Sequence, residues 1–273
     1  VQKPNGSFGN SRFSSDGIVF DTGQDLFGLV RAHRETGESR YFEAGERAGS
    51  WLVEEAADAD GRWTQYTHLG VPHVYNTRVA WALLQLNAEA PSADRERVAR
   101  ANLDWALSQQ QRSGLYTQCA FKAGVAPFTH TIAYAIRGLW EAGQLLGDER
   151  YRDSAVRAAD ALLPHVNDDG FIPGRIDPDG IPAARYCCLT GNAQLSIVWA
   201  KLFRATGSES YRKAAARSIR YVMAQQDLDA RHLEQCGAIK GSHPSWGRYS
   251  PLTYPNWATK FFVDAMLECW PWI

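Results

Sequence analysis

The chain has 273 residues, 45% apolar and 22% charged, which excludes a disordered protein and describes a soluble globular chain of one to two domains. A chain of this size buries roughly 75% of its unfolded surface, ample for a core. Lys and Arg total 29 against 30 Asp and Glu, a net charge of −1, so no global field recruits nucleic acid or an anionic membrane surface.

No run of about 18 apolar residues is present to span a membrane, and no basic-then-apolar start reads as a signal peptide. Starting at Val1, the chain reads as a processed or trimmed form. Five cysteines, an odd number, point away from a disulfide framework and toward a reducing compartment such as the cytoplasm. Ten Trp, 11 Tyr and 11 Phe beside two Met supply many rigid rings. They suit a thick core or a groove on which sugar rings stack.

The first 20 residues show no helical period and read as an irregular N-terminal segment. FDTGQDLFGLVRAH, from residue 20, then opens a series of stretches that are apolar nearly all round after a polar first turn. The others are YNTRVAWALLQL from 75, FTHTIAYAIRGLWEAG from 128, CLTGNAQLSIVWAKLF from 188 and YPNWATKFFVDAML from 254. Each reads as a buried helix whose N-terminus alone is capped or functional. Between them lie four stretches with one charged side, at 36–52, 92–110, 147–163 and 206–222, which read as outer helices with one wet face. Three of these begin on a shared tyrosine, Tyr41, Tyr151 or Tyr211. Gly-aromatic loops at DGRW (60–63), SGLY (113–116) and DGFIPG (169–174) separate an outer helix from the next inner one. With Asp21, Asn76, His130, Thr190 and Asn256 as markers, the inner helices recur at spacings of 55, 54, 60 and 66 residues. The pattern predicts an all-α protein, an α/α toroid of five inner and four outer helices in a single domain over 1–273. An open solenoid of stacked hairpins is the alternative, but it does not divide its helices into one apolar and one amphipathic set.

The alternation, the loop carrying Gln109, Gln110, Gly114 and Tyr116, and the outer-helix motif GDERY (147–151) resemble the α/α-toroid superfamily. That superfamily includes terpenoid cyclases, protein prenyltransferase β-subunits and polysaccharide-processing hydrolases, lyases and glucuronyl C5-epimerases. Residues 237–267 are similar to the C-terminal block of toroid proteins associated with bacterial polysaccharides. The resemblance is architectural and implies the fold, not the reaction.

In a toroid the inner helices run the same way, so their N-termini meet at one end of a pore. Each brings about half a positive charge and unpaired N–H groups. Arg78 and Lys260 add to this, predicting a cationic pocket that favours carboxylates, phosphates or sulfates. Asp21, Asn76, Thr129, Thr190 and Asn256 read either as simple N-caps or as site residues. Caps alone leave the further polar side chains Gln24, Arg78, His130, Asn192, Gln194 and Lys260 unexplained.

His130 is the leading catalytic candidate, because an ordinary imidazole titrates near 6.5. Its alternative is a hydrogen-bonded structural histidine. Tyr249 and Tyr254 offer phenols, and Lys240 and His243 lie in a Gly-flanked stretch able to cover the opening. In a non-catalytic glycan-binding module, Trp63, Trp246 and Trp257 would be the stacking platforms. Asp21 with Asp60 or Asp177 is the carboxylate pair a glycoside hydrolase needs, although DGRW, NDDG and DPDG are also ordinary turn sequences. No cofactor is expected, with zinc on Cys119, Cys188 and His130 as a lesser alternative to buried free thiols or a Cys119–Cys188 disulfide.

An isoprenoid cyclase needs an Asp-x-Asp-Asp acid or an Asp-rich diphosphate site, and the strings at 227–230 and 177–180 do not qualify. A β-eliminating lyase or C5-epimerase neutralises a uronate carboxylate, removes the C5 proton and, in a lyase, protonates the leaving oxygen. The set Arg78, Asn76, Asn192, His130, Tyr254 and Lys260 suits that chemistry. The expected function is therefore action on an acidic polysaccharide or oligosaccharide by β-elimination or epimerisation. Hydrolysis with an Asp pair and a non-catalytic glycan-binding module are the alternatives.

Overall fold

The structure, a computed structural model, describes residues 1–9, 16–229, 231 and 233–273. Among the described residues there are nine α-helices: α1 (Val19–Thr36), α2 (Ser39–Glu54), α3 (Thr77–Glu89), α4 (Ala93–Ser108), α5 (Thr129–Leu146), α6 (Glu149–Leu162), α7 (Leu189–Thr206), α8 (Glu209–Met223) and α9 (Asn256–Cys269). All nine fall on the stretches expected from the sequence, odd numbers on the apolar set and even numbers on the charged set. No helix among the described residues is long and apolar enough to cross a membrane.

The chain divides into two compact units. The first holds residues 1–110, 121–123 and 137–155, and the second holds 111–120, 124–136 and 156–273. In the first, α1 packs on α2, α3 on α4, and α1 on α3. In the second, α7 packs on both α8 and α9. Inner helices thus touch inner helices within each unit, and α1, α3 and α7 each also touch the outer helix that follows.

Burial follows the two compositions. Every residue from Thr77 to Leu84 in α3 and from Leu189 to Ala200 in α7 is buried, whereas α8 buries one stripe through Tyr211, Ala215, Ile219 and Val222. The first and last inner helices depart from expectation. α1 buries Val19, Thr22, Gly23, Leu26 and Val30, and α9 buries Ala258, Phe261, Phe262, Ala265 and Cys269, a single stripe in each case. On α9 the apolar side chains Trp257, Val263 and Leu267 are exposed.

Two side-chain links recur. The Tyr151 phenol of α6 donates to Asp104 of α4 at 2.8 Å, and the Tyr211 phenol of α8 donates to Asp160 of α6 at 2.5 Å. On α6 and α8 the shared tyrosine therefore ties one outer helix to the preceding one. The Gly-aromatic loops also share a packing reason. Gly170 has φ +91°, and a Cβ there would lie 2.1 Å from the Arg217 carbonyl of α8. Gly6 repeats this with φ +92° and the Arg47 carbonyl of α2 at 2.3 Å. Asn5–Phe8 is thus a further copy of the Gly-aromatic loop, inside the segment read from sequence as irregular. Helix α1 starts at Val19 and so takes in the last two residues of that segment, and residues 10–15 of it lie outside the described residues.

Candidate active site

The densest group of expected site residues lies in the second unit, where the segment after α8 folds back on the start of α7. Strand β1 (Cys187–Cys188) pairs antiparallel with β2 (Ser242–His243), Cys187 opposite His243 and Cys188 opposite Ser242. Ser242 Oγ donates to the Tyr249 carbonyl at 2.7 Å and accepts from the Tyr249 N–H at 3.2 Å, which fixes the intervening loop. Just beyond, Ser250 (φ 47°) and Leu252 (φ 56°) adopt left-handed backbone, a strain that persists only where the surroundings impose it and that is common beside functional sites.

Tyr249 is thereby laid against the first turn of α5. Its ring centre is 4.4 Å from that of His130 and 5.2 Å from that of Phe128, and the Tyr134 ring meets His130 edge-on at 5.6 Å. Trp257, in the first turn of α9, donates its indole N–H to Tyr249 Oη at 2.7 Å. Cys188 Sγ lies 3.8 Å from His130 Nδ1. Burial, and then the charge of Arg175, holds the imidazole of His130 down at about 3. Burial pushes the Tyr249 phenol well above its ordinary value and the Cys188 thiol up to about 12. The site therefore presents a neutral imidazole against a protonated phenol at any working pH.

A loop that the sequence reading had treated as punctuation completes the site. Thr129 N–H donates to the Gly174 carbonyl at 3.1 Å and Gly174 N–H to the Tyr186 carbonyl at 2.6 Å, stitching residues 174–186 to the start of α5. This carries the Arg175 guanidinium over the Phe128 ring at 3.7 Å. Arg175 Nε donates to Tyr186 Oη at 3.2 Å and Nη1 to the Ala126 carbonyl at 2.6 Å. Beside them opens a hollow of about 440 Å³ whose walls include Arg175, Arg185, Tyr186 and Arg248. None of these three arginines stands in the first turn of a helix, where the sequence places the site. The signal was three arginines in Gly/Pro-rich loops, each close to an aromatic residue.

The other expected residues have different surroundings. Tyr254 donates its phenol to Asp227 at 3.0 Å, and Lys260 pairs with Asp264 at 2.6 Å and sits over the Phe261 ring. Asn192 is fully buried, donating to the Gly170 carbonyl at 2.8 Å and accepting from the Cys187 thiol at 3.2 Å, so it secures the 169–174 loop. Gln194 is buried in α7, and Lys240 is half-buried. Trp246 and Asn256 are exposed.

In the first unit, Arg78 is buried on α3 over the rings of Phe27 and Trp81 and donates to Gln24 Oε1 at 2.7 Å. Asp21, in the first turn of α1, has its carboxyl raised by burial and then by Asp25 one turn on. The N-cap reading is corrected for four helices: α1, α7 and α9 start after Ile18, Cys188 and Pro255, and Asn76 before α3 makes no side-chain cap bond. The loop aspartates behave as turn residues or surface ions. Asp177 accepts from the N–H groups of Asp179 and Ile181, Asp169 from that of Phe171, and Asp60 pairs with Arg62.

All five cysteines are free thiols, which removes the disulfide alternative. Among the described residues no group of three His, Cys, Asp or Glu side chains is placed to hold a metal ion, so Cys119, Cys188 and His130 do not form the alternative zinc site.

No family model matches the chain. A curated relative, the ent-copalyl diphosphate synthase of a Streptomyces strain, is 32% identical over 137 residues, half of this chain. The match spans about a quarter (24%) of that enzyme's length. Solved structures match over nearly the whole chain. Cellobiose 2-epimerase from Bacillus thermoamylovorans has a TM-score of 0.72 at 12% identity, covering 93% of this chain and 75% of that one. A polysaccharide lyase has a TM-score of 0.70 at 12% identity, covering 96% and 77%. A possible member of the GH105 family from Salmonella enterica has a TM-score of 0.74 at 13% identity, covering 94% and 72%. These are α/α-toroid carbohydrate-processing enzymes, and this chain has their fold. At such identities the likeness carries the fold alone.

Proposed function

We propose that the protein is an enzyme that processes an acidic, uronate-containing polysaccharide or oligosaccharide by removing the C5 proton, leading to β-elimination or C5-epimerisation. The observation that carries this reading is an imidazole and a phenol ring to ring at 4.4 Å beside the Arg175 guanidinium. The epimerase and lyase named among the structural neighbours support the saccharide class.

The C5–H bond of a uronate is acidified by its carboxylate, more so when a guanidinium pairs with that carboxylate. His130 takes the C5 proton, and the electron pair passes into the carboxylate to give an enolate. In elimination the enolate collapses to a C4–C5 double bond, the C4–O bond breaks and Tyr249 protonates the leaving oxygen. In epimerisation Tyr249 gives its proton to C5 on the opposite face, and proton exchange with solvent restores His130 and Tyr249. Environments that hold one group neutral as acceptor and the other protonated as donor assign the two roles. An imidazole held at about 3 is a weak base, but a substrate carboxylate at Arg175 offsets the charge that helps to hold it there.

Hydrolysis is the second reading, because Asp21 and Asp25 are two carboxyls on α1 both raised by burial. Isoprenoid cyclisation is not favoured by the match to the diphosphate synthase, since the chain has no Asp-x-Asp-Asp sequence. A panel of uronate glycans followed by ultraviolet absorbance and by reducing ends separates the readings. New ends with absorbance are expected for elimination. Deuterium entering C5 from solvent with neither signal is expected for epimerisation. New ends without absorbance would overturn both in favour of hydrolysis. Binding with no reaction would leave a glycan-binding module.

A further inference from the structure

We propose that the hollow walled by Arg175, Arg185 and Arg248 is an oxyanion subsite that takes the carboxylate of a single uronate ring. The inference rests on the saccharide reading above and names the part of the substrate that the second unit grips.

Its volume of about 440 Å³ falls in the range of small-molecule sites, about 300–1,000 Å³. Three of its lining side chains are guanidinium groups, and none is a carboxylate. Many arginines elsewhere on the chain are matched with acids, as in Arg62 with Asp60, Arg95 with Glu46 and Arg150 with Asp148. Among the described residues no such ion pair involves Arg175, Arg185 or Arg248. Three like charges brought to one hollow repel each other, and an anion placed among them relieves that repulsion.

Arg175 is built in rather than free to swing. The Phe128 face, the Tyr186 hydroxyl and the Ala126 carbonyl fix its plane, and these two hydrogen bonds use two of the five N–H donors a guanidinium carries. A guanidinium held in one plane matches the flat two-oxygen edge of a carboxylate better than a mobile ammonium does. Arg185 and Arg248 are exposed and complete the charge from the rim. Val125, Ala183 and Ala184 add apolar wall for the C–H face of a sugar ring. The combination selects a charged sugar over both a neutral sugar and a bare inorganic anion.

The test is titration of the protein with D-glucuronate, D-glucose, inorganic phosphate and inorganic sulfate, with the R185A/R248A double variant as control. Both replaced side chains are exposed, and a thermal melt checks that the variant folds. Glucuronate is expected to bind at least ten-fold more tightly than glucose and either inorganic ion, and the double variant is expected to lose at least ten-fold of that affinity. Equal binding of glucose, or phosphate or sulfate matching glucuronate, would overturn the subsite, as would an unchanged double variant. Glucuronate binding that the double variant loses, without turnover of any glycan, would uphold the subsite while the reaction reading fails. Turnover with an unchanged KM in the double variant would do the reverse.

Discussion

The imidazole of His130 and the phenol of Tyr249 lie with ring centres 4.4 Å apart, one from the first turn of α5 and the other from the loop before α9, 119 residues later in the chain. Both rings are buried, and the hydrogen bonds of Ser242 to the Tyr249 backbone and of Trp257 to the Tyr249 hydroxyl hold the phenol against His130.

Burial of His130 links stability to pH. Folded, its imidazole titrates at about 3, while in the unfolded chain it returns to about 6.5. Below pH 6.5 the unfolded state takes up a proton that the folded state refuses. The stability is therefore complete above pH 6.5 and falls as the pH drops toward 3, by on the order of 2 kcal/mol at pH 5. His165 and His243 are also held low by burial and cancel when wild type is compared with H130Q. Denaturant unfolding at pH 7.5 and pH 5 should show a smaller loss in H130Q than in wild type. Equal losses would place the imidazole in contact with water.

Tyr249→Phe removes one hydroxyl that accepts a hydrogen bond from Trp257. Losing this one hydrogen bond should cost on the order of 1 kcal/mol of stability. The effect on elimination should be far larger, a fall in kcat of about 10²–10⁴ with little change in KM, the span of general acid–base catalysis. Steady-state kinetics on a uronate oligosaccharide measures both. A variant with wild-type kcat would remove Tyr249 from proton transfer.

The thiols offer a check on the packing that is independent of any substrate. Cys119, Cys187, Cys188 and Cys269 are buried and Cys236 is exposed. Burial raises the Cys119 and Cys269 thiols to about 12, as it does Cys188, which keeps them protonated and unreactive. An aromatic disulfide reagent should titrate one thiol rapidly in the native protein and all five in denaturant. Two or more fast thiols would contradict the burial of these four cysteines.

Helix identity was legible because periodicity and composition act locally. The two classes of stretch differ in how many sides carry charge, and that difference reappears as the buried run of α7 against the striped burial of α8. What sequence could not show was loop packing. Gly6 looked like part of an irregular start, and only the approach of the Arg47 carbonyl reveals it as a repeat of Gly170. His130, Tyr249 and Trp257 were legible as reactive or flat side chains near helix starts, and the fold brings them together. Tyr254 and Lys260 were equally plausible by type and position, yet each lies beside a carboxylate, Asp227 or Asp264. Arg175 was passed over because a residue between glycine- and proline-rich turns carries no helical phase. Only the stitching of Gly174 between Thr129 and Tyr186 shows where it points.

Proton removal from C5 is the central claim, and it is tested most directly by the kinetic isotope effect on a uronate oligosaccharide deuterated at C5. If His130 breaks that bond in the slow step, kcat should fall several-fold against the protiated substrate. Identical rates for the two substrates, with new reducing ends formed and no C5 exchange with solvent, would contradict the account.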